Sequence, residues 1–295
     1  QMDKPLYYKV GSAFHLGVEA KRQGKTITQA IKTAIDVFDD VDNKAVVTAM
    51  LKEWNNRSSA FYKKYKVVDI EMEIKLHLAT IEDGEIYFAG AIDALLEDDQ
   101  GRLFIGENKT TSDTMDRFTS RLWAQRQGLL YNWALRQMGY PVAGIIYDVI
   151  RKPTVKRHLA TPPEKRKYKK DGETLYSGQR LTDETQAEYQ KRIQAWYADK
   201  SDCVSHEVIV HTPAQLQAIE QDLENIINAL VFYKHTNNWP RSLSACYAWN
   251  RACEFAPYCS AGNDEIILES LYKKRERVFE KLLNRGDSGE SNSQK

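Results

Sequence analysis

Long apolar runs are missing from this chain of 295 residues. None approaches the ~18–20 residues that a bilayer-spanning helix needs, and no amino-terminal signal peptide is legible. A helical membrane protein is thereby excluded, and the cytoplasm is the expected compartment. A surplus of either charge is missing too. The 42 Lys and Arg stand against 41 Asp and Glu, for a net charge of +1, so global charge announces no nucleic-acid partner. Cysteine is scarce, at four residues, which with no secretory signal argues against a disulfide framework. No H-E-x-x-H occurs, which disfavours a metalloprotease. Cys-x2-Cys pairs with matching His are absent, which disfavours a zinc finger. The chain opens with Gln1 where an initiator Met would stand, the start expected of a fragment or a processed chain.

The patterning is that of a large α/β domain. "VGSAFHLGVEAKRQG" reads as a helix opening after Gly11, with Ser12 as its N-cap and His15 and Glu19 four apart on one face. "TITQAIKTAIDVFDD" is a second, amphipathic helix capped by Thr26 or Thr28, and a third runs to about Tyr65. "VVDIEMEIKLHLATI" alternates polar and apolar residues as a half-buried strand does. Asp83-Gly84 then turns into "EIYFAGAIDALLED", and Gln100-Gly101 into "RLFIGENKT", which together predict an antiparallel meander. A helix ending at Gly139 and a buried strand, "PVAGIIYDVIRKP", follow. The succession helix, meander, helix, strand gives an α/β sandwich with a mixed central sheet. Beyond it come a polar helix around 183–197, a short strand "SHEVIVH", a helix from Thr212 to about Lys234 and a Cys-rich segment. The expected division is a core over 1–150, a basic insert over 151–180, a helical and Cys-rich remainder of the same domain over 181–285, and a disordered tail over 286–295.

The chemistry concentrates in the meander. Glu107 and Lys109 are two apart, so on a strand they share a face while Asn108 points away. Asp93 lies on the preceding strand and can sit beside Glu107. Such charges face either water or a metal, because a core position would be costly. Two carboxylates side by side suit Mg²⁺ or Mn²⁺. An adjacent Lys can orient a water, help deprotonate it, or stabilise charge on a phosphate. Asp followed by Glu-x-Lys is the minimal equipment for hydrolysing a phosphodiester.

In order along the chain, "GSAFHLGVE", "GAID", "GENKT" and "QGLLY" resemble the motifs of the RecB-like branch of the PD-(D/E)xK nucleases. That branch includes nuclease domains of recombination complexes, CRISPR spacer-acquisition nucleases and phage exonucleases. The resemblance implies a restriction-endonuclease-like core. It also implies a metal-dependent DNA nuclease, an exonuclease acting in recombination, repair or phage DNA processing. It places metal ligation on His15, Asp93, Glu107 and the carbonyl of Asn108, catalysis on Lys109 with Glu107 and Asp93, and a supporting role near DNA on Gln127 and Tyr131. The family frequently has Asp-Tyr-Lys where this chain has Glu-Asn-Lys. Glu19 either extends the metal site or joins a charge network. The alternative function is a catalytically silent DNA-binding or scaffold module that keeps the fold. The implied partners are single-stranded DNA or duplex ends, and a single-strand annealing protein or helicase. The implied location is the cytoplasm of a bacterial or phage-infected cell.

Two further segments stand out. From Arg151 to Lys170 there are nine Lys or Arg and one acidic residue, Glu164, among three prolines. This is either a solvated loop or an arm that contacts phosphates through Lys165, Arg166, Lys167, Lys169 and Lys170. "CYAWNRACEFAPYC" crowds Cys246, Cys253 and Cys259 into fourteen residues, which suits a soft-metal or cluster site. In the same nuclease branch, three such cysteines join an upstream one to hold a 4Fe–4S cluster. The fourth ligand is not visible in this chain, since Cys203 lies far from the expected position.

Overall fold

The computed structural model describes residues 6–82, 84–248 and 251–273. The expected tail, 286–295, lies outside them, as does Asp83 of the expected turn. In chain order the elements are α1 (Leu6–Arg22), α2 (Ile27–Ile35), α3 (Val41–Tyr62), β1 (Tyr65–Ile81), β2 (Gly84–Asp98), β3 (Leu103–Thr111), α4 (Met115–Thr119), α5 (Arg126–Gln137), β4 (Val142–Arg151), α6 (Gln186–Ala198), β5 (Val204–Ile209), α7 (Pro213–Thr236), β6 (Tyr247–Ala248), β7 (Arg251–Ala252), α8 (Ala256–Ser260) and α9 (Glu265–Leu271). Two compact units emerge. The larger holds residues 6–72 and 91–213; the smaller holds the described residues of 73–90 and those from 214 onward. Among the described residues no helix is long and apolar enough to cross a membrane.

In the larger unit the sheet runs β1-β2-β3-β4-β5. β2 and β3 are antiparallel, β3 and β4 parallel, β4 and β5 antiparallel. The parallel step needs a crossover, and α5 supplies it. The result is the expected α/β fold, a mixed sheet flanked by helices. α1, α2, α3 and α6 pack as one apolar cluster that includes Phe14, Val18, Met50, Leu51, Trp54, Ile193 and Tyr197. Ile150 of β4 joins that cluster, which places these helices on the sheet face of the even-numbered residues of β4. Each large apolar side chain buried there contributes about 1.5–3 kcal/mol. β4 is buried on both faces from Gly144 to Ile150, as a strand next to a crossover helix should be.

Local signals explain three helix starts. Thr26 caps α2 in a capping box with Gln29, and Thr185 caps α6 in another with Glu188. Asp40 caps α3 through the N–H of Asn43. The expected start of the first helix needs correction: α1 begins at Leu6 and runs straight through Gly11 and Ser12. Gly11 is there for close approach, since a Cβ would meet the Thr110 hydroxyl of β3 at 3.3 Å. The helix expected to end at Gly139, read from the sequence "TSRLWAQRQGLLYNWALRQMG", is also shorter. Residues 112–125 form α4 and a 3-10 turn (Leu122–Ala124), and α5 starts only at Arg126.

In the smaller unit, the outer parts of β1 and β2 carry the polar group His77, Thr80 and Glu85. β6 and β7 pair as a short antiparallel ladder. Tyr272 Oη donates to the Glu254 carbonyl at 2.6 Å, and its ring stacks on Phe255.

Gly128 of α5 has the tightest surroundings that bear on the site. A Cβ there would lie 2.0 Å from Tyr147 Oη and 2.7 Å from Ile145 Cδ1 of β4. The helix therefore rests directly on the strand beside Gln127. Gly128→Ala should lower stability by about 1–3 kcal/mol through overpacking, read as a drop in denaturant midpoint at unchanged slope.

Candidate active site

β3 carries the centre. Its residues pair with β4 as Glu107 with Tyr147, Asn108 with Asp148 and Lys109 with Val149. Glu107 and Lys109 thus share the face of Ile105, Tyr147 and Val149, and Asn108 faces the opposite way, as the two-residue period requires. β2 pairs with β3 from Glu97–Leu103 to Ala94–Gly106. Past that point a side chain takes over from backbone: the Asn108 N–H donates to Asp93 Oδ2 at 2.6 Å. Asp93 Oδ1 lies 3.4 Å from His15 Nδ1 of α1. Lys109 Nζ donates to Glu107 Oε1 at 2.6 Å and to Gln127 Oε1 at 2.8 Å. Gln127 Nε2 in turn donates to Tyr131 Oη at 3.2 Å. His15, Asp93, Glu107, Asn108, Lys109, Gln127 and Tyr131 therefore form one connected set.

Glu107 is 4% exposed, so it does not face water. Its Oε2 is buried and has no hydrogen-bond partner among the described residues. A buried carboxylate oxygen without a donor is costly unless something cationic completes it. Burial, with Asp93 nearby, pushes the Glu107 carboxyl above its usual range against the pull of Lys109. Burial acts the same way on Asp93, but His15, the Asn108 N–H and Arg22 outweigh it and hold that carboxyl low.

A cleft of about 380 Å³ opens on the His15 side of Asp93, lined by Gly11, Ser12, His15, Leu16, Glu19, Glu71 and Asp93. Glu19 borders it while accepting a hydrogen bond from Gln23 at 2.8 Å. Glu71 was not among the expected residues. Its φ of +51° is in the left-handed region, uncommon outside glycine, and interrupts the alternation of β1. Desolvation, then the charges of Asp93 and Glu19, raise its carboxyl to about 7. In sequence it is one of several acidic residues in "VVDIEMEIKL", and nothing there marks it.

The donor chemistry fits a hard divalent ion: two neighbouring carboxylates, one with a buried oxygen that no described residue hydrogen-bonds, beside the Asn108 backbone whose N–H Asp93 accepts. As they stand, the side chains are turned to protein partners, and among the described residues no three His, Cys, Asp or Glu converge on one point. The same finding removes support for the expected iron–sulfur cluster. The Cys253 N–H does bond the Cys246 carbonyl at 2.8 Å across the β6–β7 ladder. Yet Cys246, Cys253 and Cys259 are free thiols that form no ligand group. Cys203 is buried in the other unit, where burial raises its thiol to about 11, the wrong direction for a thiolate ligand.

The basic insert follows β4, whose last residue is Arg151. It is a loop with one 3-10 turn (Pro163–Lys165) and a bridge between Tyr168 and Leu175. Lys165, Lys167, Lys169 and Lys170 are exposed, and Arg166 is half-buried, donating to the Thr161 carbonyl at 2.8 Å. The loop is anchored at Glu184, which is buried, accepts the His158 N–H and is gripped by Arg192.

The PD-(D/E)XK nuclease superfamily profile matches residues 3–260. The chain belongs to that superfamily. Two solved structures resemble this superfamily member at low similarity. One is a provisionally named exonuclease from Eubacterium rectale, 12% identical over 94% of this chain and 80% of that one, with a TM-score of 0.43. The other is the protein SSO0001, 12% identical over 66% of this chain and 75% of that one, with a TM-score of 0.26. Neither likeness carries an argument about activity. No curated protein matches the sequence.

The raised carboxyl of Glu71 makes a stability statement for the metal-free protein. The unfolded chain ionises near ~4.3, whereas the folded protein holds its proton to about 7. Folded protein binds more protons in that window, so this contribution is full below ~4.3 and is lost as pH rises through it. In EDTA, the Glu71→Gln variant should lose less melting temperature than wild type between about pH 5 and pH 8. Parallel melting curves for the two proteins would remove the assignment.

Proposed function

We propose that this protein is a metal-dependent deoxyribonuclease that hydrolyses phosphodiester bonds at Asp93, Glu107 and Lys109. The observation that carries the reading is the buried, unpartnered Oε2 of Glu107 beside a Lys109 already aimed by Gln127. Asp93, Glu107 and the Asn108 carbonyl would hold Mg²⁺ or Mn²⁺, with His15 orienting Asp93 or joining the ligands. When bound, the ion supplies Lewis acidity and a water of lowered pKa. Lys109 presents a point charge and three donors to the scissile phosphate or to the attacking water. Gln127 fixes the ammonium by accepting a hydrogen bond from it, and Tyr131 holds the Gln127 amide so that its carbonyl faces Lys109. End-directed cleavage, on single strands or duplex ends, is the specificity implied by the likeness of its motifs to those of phage exonucleases. A recombination partner such as a single-strand annealing protein or helicase, and a cytoplasmic setting, rest on the same likeness.

Linear, circular and single-stranded DNA digested with Mg²⁺ or Mn²⁺ test this together. Cleavage should vanish in EDTA and return with metal, and closed circles should resist an enzyme that needs ends. Asp93→Asn and Lys109→Ala should each cost several orders of magnitude in rate while DNA binding persists. Undiminished cleavage by Lys109→Ala would end the assigned role.

The anchored basic loop is proposed to touch the DNA backbone. Neutralising Lys165, Arg166, Lys167, Lys169 and Lys170 should weaken binding equally across sequences. It should also flatten the slope of log affinity against log salt by ~0.7–0.9 for each phosphate that is no longer neutralised. An unchanged slope would make the segment a solvated loop.

A further inference from the structure

Behind the catalytic face of β3 lies a buried polar cluster that the chemistry above does not use. Asn108 is 2% exposed and Asp148, its partner on β4, is 1% exposed. Arg22 Nη2 donates to Asn108 Oδ1 and to Tyr62 Oη, both at 3.1 Å. Tyr62 Oη donates to Asp148 Oδ2 at 2.9 Å, and Trp54 Nε1 donates to the same oxygen. His206 of β5, next to Asp148 in the sheet, lies 3.6 Å from Asp148 Oδ1 and 2.9 Å from the Ser58 hydroxyl. Arg22 Nε and Nη1 are buried without hydrogen-bond partners among the described residues. A buried ion network with unfilled donors gains little stability over apolar packing. Its geometry, however, converges on one backbone segment.

His15 and Arg22 are seven apart on α1, two turns, and so project from one side of the helix. One rigid element thus reaches Asp93 through His15 and Asn108 through Arg22. Asn108 is held from both ends: its N–H on the Asp93 carboxylate and its side chain on Arg22. With both fixed, the peptide between Asn108 and Lys109 has little freedom to rotate, and Glu107 and Lys109 on either side inherit its orientation.

We propose that Arg22 and the Asn108 side chain are positioning residues, which set the Glu107–Asn108–Lys109 backbone from the far side of the sheet for metal binding. The middle residue of Glu-x-Lys is then a functional position in this chain. The inference rests on the metal-site reading above and adds to it two side chains, those of Arg22 and Asn108, that meet on the face of β3 opposite Glu107 and Lys109.

The test compares Asn108→Leu, which keeps size and drops the acceptor, with Arg22→Met, Arg22→Lys and the double variant Arg22→Met/Asn108→Leu. Mn²⁺ affinity of the DNA-free protein, kcat and KM on linear DNA, and melting temperature are measured for each. Loss of an outer hydrogen-bond partner of a metal site costs 10–100-fold. Asn108→Leu should weaken Mn²⁺ binding and lower kcat within that range while KM for DNA holds. Arg22→Lys, which keeps a donor and the charge, should recover most of the loss seen in Arg22→Met. The double variant should be no worse than the poorer single one, because the two residues act as a unit. Arg22→Met removes the buried positive charge near Asp148 and can fail to fold; Asn108→Leu leaves Arg22, Tyr62 and Asp148 together and decides the matter alone. Wild-type Mn²⁺ affinity in folded Asn108→Leu overturns the proposal. Wild-type protein that binds Mn²⁺ but cuts no DNA overturns the nuclease reading instead, and the Mn²⁺ affinities still decide this one. Wild-type protein that binds no Mn²⁺ overturns both.

Discussion

The hydrogen bond from the Asn108 N–H to the Asp93 carboxylate is the constraint on which the site turns. It sits where the β2–β3 ladder stops being backbone to backbone. A strand N–H without its carbonyl partner inside the protein would cost ~1–3 kcal/mol; here an acidic side chain takes the vacancy. The same substitution pulls Asp93 toward Glu107 and keeps it ionised beside a second carboxylate. The two carboxyls shift in opposite directions: burial, with the Asp93 charge, raises Glu107 against the pull of Lys109, while His15, the Asn108 N–H and Arg22 hold Asp93 low. A cation beside both carboxylates would offset these costs, and the buried Oε2 of Glu107 has no hydrogen-bond partner among the described residues.

Much of this was legible because strands make face assignments by counting. Glu107 and Lys109 had to share a side, and the order of the strands followed from turn signals at Gln100-Gly101 and from the buried run after Gly139. Gln127 and Tyr131, one helical turn apart, were readable as a pair. What no pattern shows is which distant side chain fills a gap. Arg22, Tyr62 and Asp148 come from α1, α3 and β4, and each looks ordinary in its own segment. Glu71 is an exposed residue of β1, and only its left-handed backbone sets it apart.

The misread start of α1 has a plain cause. Gly11 looked like a helix start because glycine is poor inside helices. Its lack of a side chain instead serves the close approach to Thr110, and the helix tolerates it. The cysteines misled in a comparable way. Crowding in sequence makes a shared ligand sphere easy to reach but leaves side-chain direction open, and these three thiols do not converge.

The two halves of the site differ in how far along the chain their partners lie. Lys109 meets Glu107 two residues away and Gln127 eighteen away. Arg22 reaches Asn108 across 86 residues. Closing a loop costs entropy that grows with its length, so the ammonium side of the site is assembled from neighbours. The α1 side exists only once α1 has docked. Detachment of that one helix would leave Lys109 in place and take away the two residues, His15 and Arg22, that hold Asp93 and Asn108 from above.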